Sequence, residues 1–159
     1  MNRPALLAAA LSLALMAGCA STPAPTTITE TAARTPQLST LNKLIADAGL
    51  QDTLRGPGPY TVFAPSDEAF KAVPAKTMQE LAANKELLKS VLSYHVLPGK
   101  VTAAEVKNGN VKTVQGATVA VASAGAFVTV EDAVVQQADV AASNGVVHVI
   151  DRVLMPPKK

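Results

Sequence analysis

The sequence predicts an α+β fold, because helical and strand-like patterns occupy different halves of the chain. Apolar residues recur with helical spacing between residues 38 and 97, whereas short alternating runs of Val, Ala and Thr dominate from Val111 onward. Asn144-Gly145 stands between two such runs, which is a strong hairpin signal. With 159 residues, of which 48% are hydrophobic and 16% charged, the chain has the composition of one globular domain.

The N-terminal segment has the pattern of a signal peptide. A single positive charge, Arg3, precedes the uncharged run 5–17, which is interrupted only by Ser12 and is too short to span a membrane comfortably. The run ends in LMAGC at 15–19, which resembles the lipobox of bacterial lipoproteins and departs from it at Met16. We therefore expect a lipoprotein signal peptide over 1–18. The alternative is an ordinary secretory signal that happens to contain a cysteine.

Cys19 is the only cysteine, and the lipobox resemblance implies that it is acylated. Several acyl chains would form a durable membrane anchor. Ala20 follows, where Asp would favour inner-membrane retention, so an outer-membrane location is expected in a Gram-negative cell. A lone cysteine also excludes an intradomain disulfide and a thiolate zinc site. Residues 19–37, rich in Thr, Pro and Ala, are predicted to be a flexible linker, followed by a domain at 38–156 and a tail at 157–159.

The first half of the domain is predicted to be mostly helical. A first helix ends at Gly49, a strand at 60–64 ends at Pro65, and Ser66 caps a short helix. Thr77–Glu80 is a capping-box pattern for a further helix that breaks near Asn84. Apolar residues mark one face of the first and last of these helices: Leu38, Leu41, Leu44, Ile45 and Ala48, then Leu87, Leu88, Val91 and Leu92.

The second half is predicted to form strands separated by glycine turns. Alternating runs cover 118–121 and 127–130, with turns at Gly116 and Gly125. Runs at 139–142 and 146–154 flank the Ser143-Asn144-Gly145 turn. The last strand has Val146, His148 and Ile150 on one face and valines on the other, which is typical of a central, covered strand. His148 is accordingly interpreted as a buried, hydrogen-bonded histidine rather than a catalytic one, and Asp151 and Arg152 as structural polar anchors.

Three segments in this order together resemble the fasciclin domain family. They read YTVFAPSDEAF at 60–70, SYHVLPGKV at 93–101 and SNGVVHVIDRVL at 143–154. The resemblance extends from about Leu38 to Pro156 and departs mildly at Tyr60, where Phe is common in the family. It implies a β-sandwich or wedge of about seven strands with several packed helices. It also implies extracellular adhesion through protein or polysaccharide partners, although a fold specifies its ligand poorly.

The second segment supplies the candidate binding residues, Tyr94 and His95. Adjacent residues on a regular element point in different directions, so we expect one to pack inward and the other to contact a loop or solvent. The family resemblance implies a part in adhesive recognition, and the alternative is that both residues hold the helix-to-strand junction. Phe63 and Phe70 flank the Ala-Pro-Ser corner and are expected to join the strand and the short helix in one core.

The sequence carries no recognisable catalytic or cofactor motif. His95 and His148 lack a partner histidine at metal-ligand spacing, and glycine loops for phosphate and nucleophile elbows are missing from the sequence. Glu131 and Asp132 are interpreted as a solvated turn, not as a glycosidase pair. After removal of Arg3 with the signal peptide, 13 Lys and Arg stand against 12 Asp and Glu without a basic stripe, which argues against nucleic-acid binding.

The leading hypothesis is therefore a non-enzymatic, lipid-anchored envelope module that binds a protein or polysaccharide and needs no cofactor. A second is a carrier of an apolar small molecule: the family resemblance implies a ligand such as a carotenoid, with a lipid as another apolar candidate, and small Ala and Val side chains could leave an apolar groove. An enzyme and a passive structural lipoprotein remain as further alternatives.

Overall fold

The computed structural model describes residues 26–157, which fold into six α-helices and seven β-strands. The helices are α1 (Ile28–Arg34), α2 (Ser39–Ala48), α3 (Gln51–Arg55), α4 (Asp67–Ala72), α5 (Ala75–Ala83) and α6 (Lys85–Tyr94), with a 3-10 turn at Pro36–Leu38. The strands are β1 (Tyr60–Pro65), β2 (Val96–Pro98), β3 (Gly109–Lys112), β4 (Thr118–Ala124), β5 (Phe127–Val130), β6 (Ala133–Ala142) and β7 (Gly145–Ile150). The predicted α+β class and number of strands are confirmed.

The strands form one mixed sheet in the order β2-β1-β7-β6-β5-β4-β3. Only the β1–β7 pair is parallel; every other neighbouring pair is antiparallel. Val114, just after β3, donates its backbone N–H to the Val96 carbonyl of β2 at 2.8 Å. This bond brings the two edge strands together, so the sheet is nearly closed into a wedge.

The first predicted helix is confirmed as α2. Leu41, Leu44 and Ile45 are buried on one face, as their spacing indicates. Gly49 ends the helix in the left-handed conformation with φ of 69°, which a residue without a Cβ adopts readily.

The linker prediction is wrong from Thr26 onward, because residues 28–34 form α1 and pack on the core. Thr27 and Glu30 complete a capping box at the helix start, and Ile28 is only 1% exposed. The Thr26 carbonyl also accepts the Ser143 backbone N–H at 2.8 Å. The Thr-rich composition that suggested a linker instead supplies helix caps. The predicted signal peptide at 1–18 and Cys19 lie outside the described residues.

The predicted start of α5 at Thr77 is also wrong. The helix begins at Ala75 after Pro74, whose fixed φ suits a helix start, so Thr77 lies within the first turn. The break at Asn84 is confirmed: this residue ends α5, and its side chain accepts the Glu86 and Leu87 backbone N–H groups to cap α6.

Two apolar clusters lie on opposite faces of the β1–β7 pair, because successive side chains of a strand alternate in direction. The first contains the helices with Val62 and Ala64 of β1, and Phe70 belongs to it. The second contains Phe63 with the inner faces of β4 and β5. The expectation that Phe63 and Phe70 share one core is therefore wrong.

Strand β7 is buried along its whole length between β1 and β6, which confirms the prediction of a central, covered strand. It ends at Ile150, four residues earlier than the apolar run suggested, and residues 151–157 leave the sheet. The predicted hairpin is confirmed, but Ser143 and Asn144 form its turn. Gly145 already lies in β7, where a Cβ would come within 1.8 Å of the Tyr60 carbonyl oxygen.

Candidate binding surface

Tyr94 and His95 lie at the junction between α6 and β2, and both are buried. Tyr94 is 3% exposed and His95 is 2% exposed, and His95 contacts the loop after β7 through Leu154, in line with the expectation that one of the two meets a loop or solvent. The two side chains do point in different directions, but residues 151–157 cover the side that the local pattern leaves open. A contact to a distant segment of the chain therefore decides the burial of this pair.

His95 uses both ring nitrogens within the fold. Nδ1 donates to the Val91 carbonyl at 2.8 Å, and Nε2 accepts the Leu154 backbone N–H at 2.9 Å. This pattern requires the neutral ring, and burial lowers the pKa of His95 to about 4 even though the bond to Val91 opposes the shift. His95 therefore links α6 to the C-terminal segment by hydrogen bonds, and neither ring nitrogen is free for a ligand.

Tyr94 is buried and lines a cleft. The hydroxyl donates to the Thr118 carbonyl at 3.2 Å. Burial, followed by the nearby Glu131 carboxylate, raises the pKa of the Tyr94 phenol. The ring therefore packs in the second cluster, while the hydroxyl lies at the base of a cleft.

His148 is buried and hydrogen-bonded, as the sequence predicted. Its Nε2 donates to the Val101 carbonyl at 2.8 Å, and its Nδ1 accepts the Asp139 backbone N–H at 3.2 Å. Its ring also stacks on Phe63, with centroids 5.6 Å apart. All four histidine nitrogens thus bind backbone groups, and within residues 26–157 no three His, Cys, Asp or Glu side chains are grouped to hold a metal ion.

Two adjoining clefts open where β1 and β7 end, one on each side of the C-terminal segment. The first has a volume of about 480 Å³ and is lined by Tyr94, Thr118 and the β5–β6 turn at Glu131 and Asp132. The second, of about 490 Å³, is lined by α4 and the start of α5. Arg152, Val153 and Met155 line both clefts. The two clefts with their shared wall are called the terminal cleft below.

Side chains of the terminal cleft combine apolar and charged surface. Met155 is 47% exposed and presents apolar surface to the cleft. Arg152 is exposed as well, so its predicted role as a structural anchor does not match its position. Asp151 does act as an anchor, because its carboxylate accepts the Val134 backbone N–H at 2.8 Å. Sequence reasoning missed Met155, although its place directly after the last apolar run was a usable signal.

The acidic turn beside the cleft has a structural role. Glu131 has a φ of 52°, and its carboxylate accepts the Ala120 backbone N–H at 2.8 Å. Its own backbone N–H donates to the Ala120 carbonyl at 2.7 Å. Glu131 therefore fixes the turn to β4 and is engaged in the fold, in line with its interpretation as a turn residue.

An apolar cavity lies between α3 and β2, lined by Leu50, Leu54, Tyr60 and Val96, with the exposed Val114 beside it. Its volume is about 50 Å³. Typical sites for small organic ligands have volumes of roughly 300–1,000 Å³. This cavity is therefore too small, in the described conformation, for a carotenoid or a lipid chain.

Comparison with known protein families matches residues 36–156 to the Fasciclin domain. The chain is 45% identical over 140 residues to Protein sll1483 of Synechocystis sp., a match that covers 87% of this chain and 78% of that protein. It is 40% identical over 147 residues to the Cell surface glycolipoprotein MPB83 of Mycobacterium bovis, covering 89% of this chain and 64% of that protein.

Among solved structures, the chain is similar to a FAS1 domain pair from the insect cell adhesion molecule Fasciclin I. The TM-score is 0.63 at 26% identity, over 77% of this chain and 46% of that chain. The described part of this chain thus matches less than half of the pair. No helix within residues 26–157 is long and apolar enough to cross a membrane.

Proposed function

Because the chain belongs to the fasciclin domain family, we propose that it is a lipid-anchored interaction module of the cell envelope. It binds a protein or polysaccharide through the terminal cleft, and it catalyses no reaction. Cys19 carries the acyl chains, and in a Gram-negative cell the anchor inserts into the outer membrane. The observation that carries the proposal is the Fasciclin domain match over residues 36–156 in a chain similar to a cell surface glycolipoprotein.

Two features of the chain support this proposal. The match to the glycolipoprotein covers 89% of the chain, a larger share than the domain at 36–156, so the similarity extends beyond the residues matched to the Fasciclin domain. The terminal cleft combines an exposed Met155 with the charged Arg152, and Met and Arg are both enriched in protein interfaces. Of the Tyr-His segment, Tyr94 lines this cleft.

The anchor is tested by metabolic labelling with a palmitate analogue in the native cell. Wild-type chain is expected to incorporate the label and to sediment with membranes. A Cys19→Ser chain is expected to do neither, because the acceptor thiol is missing. Label on the Cys19→Ser chain, or no label on the wild type, would contradict the lipidation.

The binding role is tested by proximity cross-linking in intact cells. The wild-type chain is expected to capture a defined envelope protein or polysaccharide, and a chain with Arg152→Glu and Met155→Asp is expected to lose that product while remaining folded. Equal capture by both chains would show that the partner does not bind at the terminal cleft. Protein from its own source that carries extractable pigment or lipid would instead favour the carrier hypothesis.

A further inference from the structure

The position at which the chain enters the fold is fixed by several hydrogen bonds. Thr26 is held by the Ser143 backbone N–H, and Asn144 accepts the Ile28 backbone N–H on its side-chain oxygen at 3.0 Å. The Asn144 amide nitrogen donates to the carbonyls of Leu54 and Gly56. The entry point is therefore at the β6–β7 turn. This end of the domain is called the entry end below.

The terminal cleft lies at the opposite end of the domain from the entry end. Strands β1 and β7 run parallel from Tyr60 and Gly145 at the entry end to Pro65 and Ile150. Six residues of strand span about 17 Å. The cleft-lining residue Arg152 follows two positions after Ile150, and α4 begins two positions after Pro65. The entry point and the cleft are thus separated by the full length of the central strands.

The tether between the proposed lipid anchor and the fold is short. Only residues 20–25 lie between Cys19 and Thr26. Whatever their conformation, seven Cα-to-Cα steps reach at most about 25 Å. A linker extending to residue 37, as the composition suggested, would have reached roughly 65 Å and allowed every orientation.

The size of the domain turns this short reach into a constraint on orientation. A compact domain of about 130 residues has a radius of gyration of about 14 Å and is therefore about 36 Å across. To face the membrane with the terminal cleft, the domain would have to raise its entry point by at least the strand length of about 17 Å, and by at most the domain diameter of about 36 Å. A flexible tether of this length has an r.m.s. span of about 15 Å, so an inverted domain requires a nearly or fully extended tether and is disfavoured by the loss of chain entropy.

We propose that the short tether orients the domain on its membrane, with the entry end facing the bilayer and the terminal cleft facing away from it. This inference rests on the proposed anchor at Cys19. It places the partner of the cleft, a protein surface suited to the exposed Met155 and Arg152, outside the anchoring membrane, and excludes a lipid headgroup of that membrane. The exposed Lys100, beside the β6–β7 turn, places a positive charge at the end that faces the lipid phosphates.

The orientation can be measured with a fluorophore on a single introduced cysteine. Acylation consumes the Cys19 thiol, so Ser143→Cys labels the entry end alone and Met155→Cys labels the cleft alone; both side chains are exposed. The lipidated full-length chains are reconstituted into phosphatidylcholine vesicles that contain lipid with a nitroxide on the headgroup. Quenching is expected to be several-fold stronger for the Ser143→Cys label than for the Met155→Cys label.

A matched chain with about twelve Gly and Ser residues inserted before Thr26 tests whether the tether causes the difference. With the longer reach, the quenching ratio should fall toward one. A ratio near one with the native tether overturns the orientation while leaving the anchor intact. If the wild-type chain does not associate with the vesicles at all, the anchor proposed for Cys19 fails, and the orientation fails with it.

Discussion

The two ends of the β1–β7 pair use their polar groups differently. At the entry end, one uncharged side chain, Asn144, joins α1, the end of α3 and the β6–β7 turn. At the cleft end, a titratable side chain, His95, accepts a hydrogen bond from Leu154 in the C-terminal segment that lines the cleft. The side chain that joins the segments of the entry end thus carries no titratable group, whereas the segment at the cleft end is held by a hydrogen bond that acid can break. The comparison separates residues that hold the fold from residues available to a partner.

The largest effect is expected at Gly145, at the entry end. A Cβ there would lie 1.8 Å from the Tyr60 carbonyl oxygen and within 3 Å of two more backbone atoms, so β1 and β7 would have to separate. Gly145→Ala should lower the free energy of unfolding by at least about 3 kcal/mol in urea titrations. Gly125→Ala is the matched control, because its φ is +61° but no heavy atom lies within 4 Å of the added Cβ. Its loss should be about 1–2 kcal/mol, and equal losses would contradict the steric explanation.

The second prediction concerns acid and the cleft end. The His95 pKa is about 4 in the fold and about 6.5 in the unfolded chain, so the unfolded chain binds more protons between these values. The contribution of neutral His95 to the free energy of unfolding is fully present above pH 6.5. The free energy of unfolding falls by about 3 kcal/mol as the pH decreases to 4. The measurement is the free energy of unfolding across this range, compared with His95→Gln, whose smaller slope isolates the histidine. A wild-type slope equal to that of the variant would show that His95 does not control acid stability.

Hydrogen exchange can show that this acid effect is confined to one end. Local opening of the cleft end frees His95 to bind a proton near its ordinary pKa of about 6.5, whereas the ring in the fold titrates only near pH 4. Opening therefore becomes easier as the pH falls, and protection of the Leu154 amide should decrease between pH 6.5 and 5 after correction for the intrinsic exchange rate. The Tyr60 amide, bound to the Asn144 carbonyl at the entry end, should keep its protection over the same range. A parallel loss at both amides would indicate global unfolding instead of local loosening.

A smaller loss is expected when Asn144 is truncated. Asn144→Ala removes three side-chain hydrogen bonds in a partly buried site, and the free energy of unfolding should fall by about 2–3 kcal/mol. Asn108→Ala is the matched control, because its side chain accepts one exposed bond from the Ser123 backbone N–H. That change should cost about 0.5 kcal/mol. Thermal or urea unfolding measures both losses. Similar losses would show that the three hydrogen bonds of Asn144 stabilise the fold no more than one exposed bond does.

Much of the fold could be predicted from local sequence patterns. Three predicted features depend on residues close in sequence, and each is present in the structure: β7 with apolar residues on both faces, the end of α2 at Gly49, and the Ser66 cap of α4. Helix α1 could not be separated from a linker by composition, because its stability depends on burying Ile28 against distant elements. Its capping box at Thr27 was the available local signal.

The candidate site was predicted less well, because its surroundings come from the far end of the chain. The Tyr94-His95 segment was located correctly at a helix-to-strand junction, but residues 151–157 decide what covers it. No periodicity within 85–98 encodes that contact. The role of Asn144 was missed for the same reason: a turn residue was expected, and its bonds to Leu54 and Gly56 join segments almost ninety positions away.

The smallest effect on stability is expected at the cleft, and it tests the other half of the comparison. Met155 is exposed and its side chain is not needed to hold the fold, so Met155→Asp should change the free energy of unfolding by less than about 0.5 kcal/mol. The same variant should lose the cross-linked partner captured by the wild-type chain, because a buried carboxylate in the interface would be costly. Phe127→Asp is the matched control: Phe127 is 67% exposed at the β4–β5 turn and lines neither part of the cleft. If Phe127→Asp abolishes capture and Met155→Asp does not, the partner binds the hairpin surface, and the open end of the domain is not its recognition site.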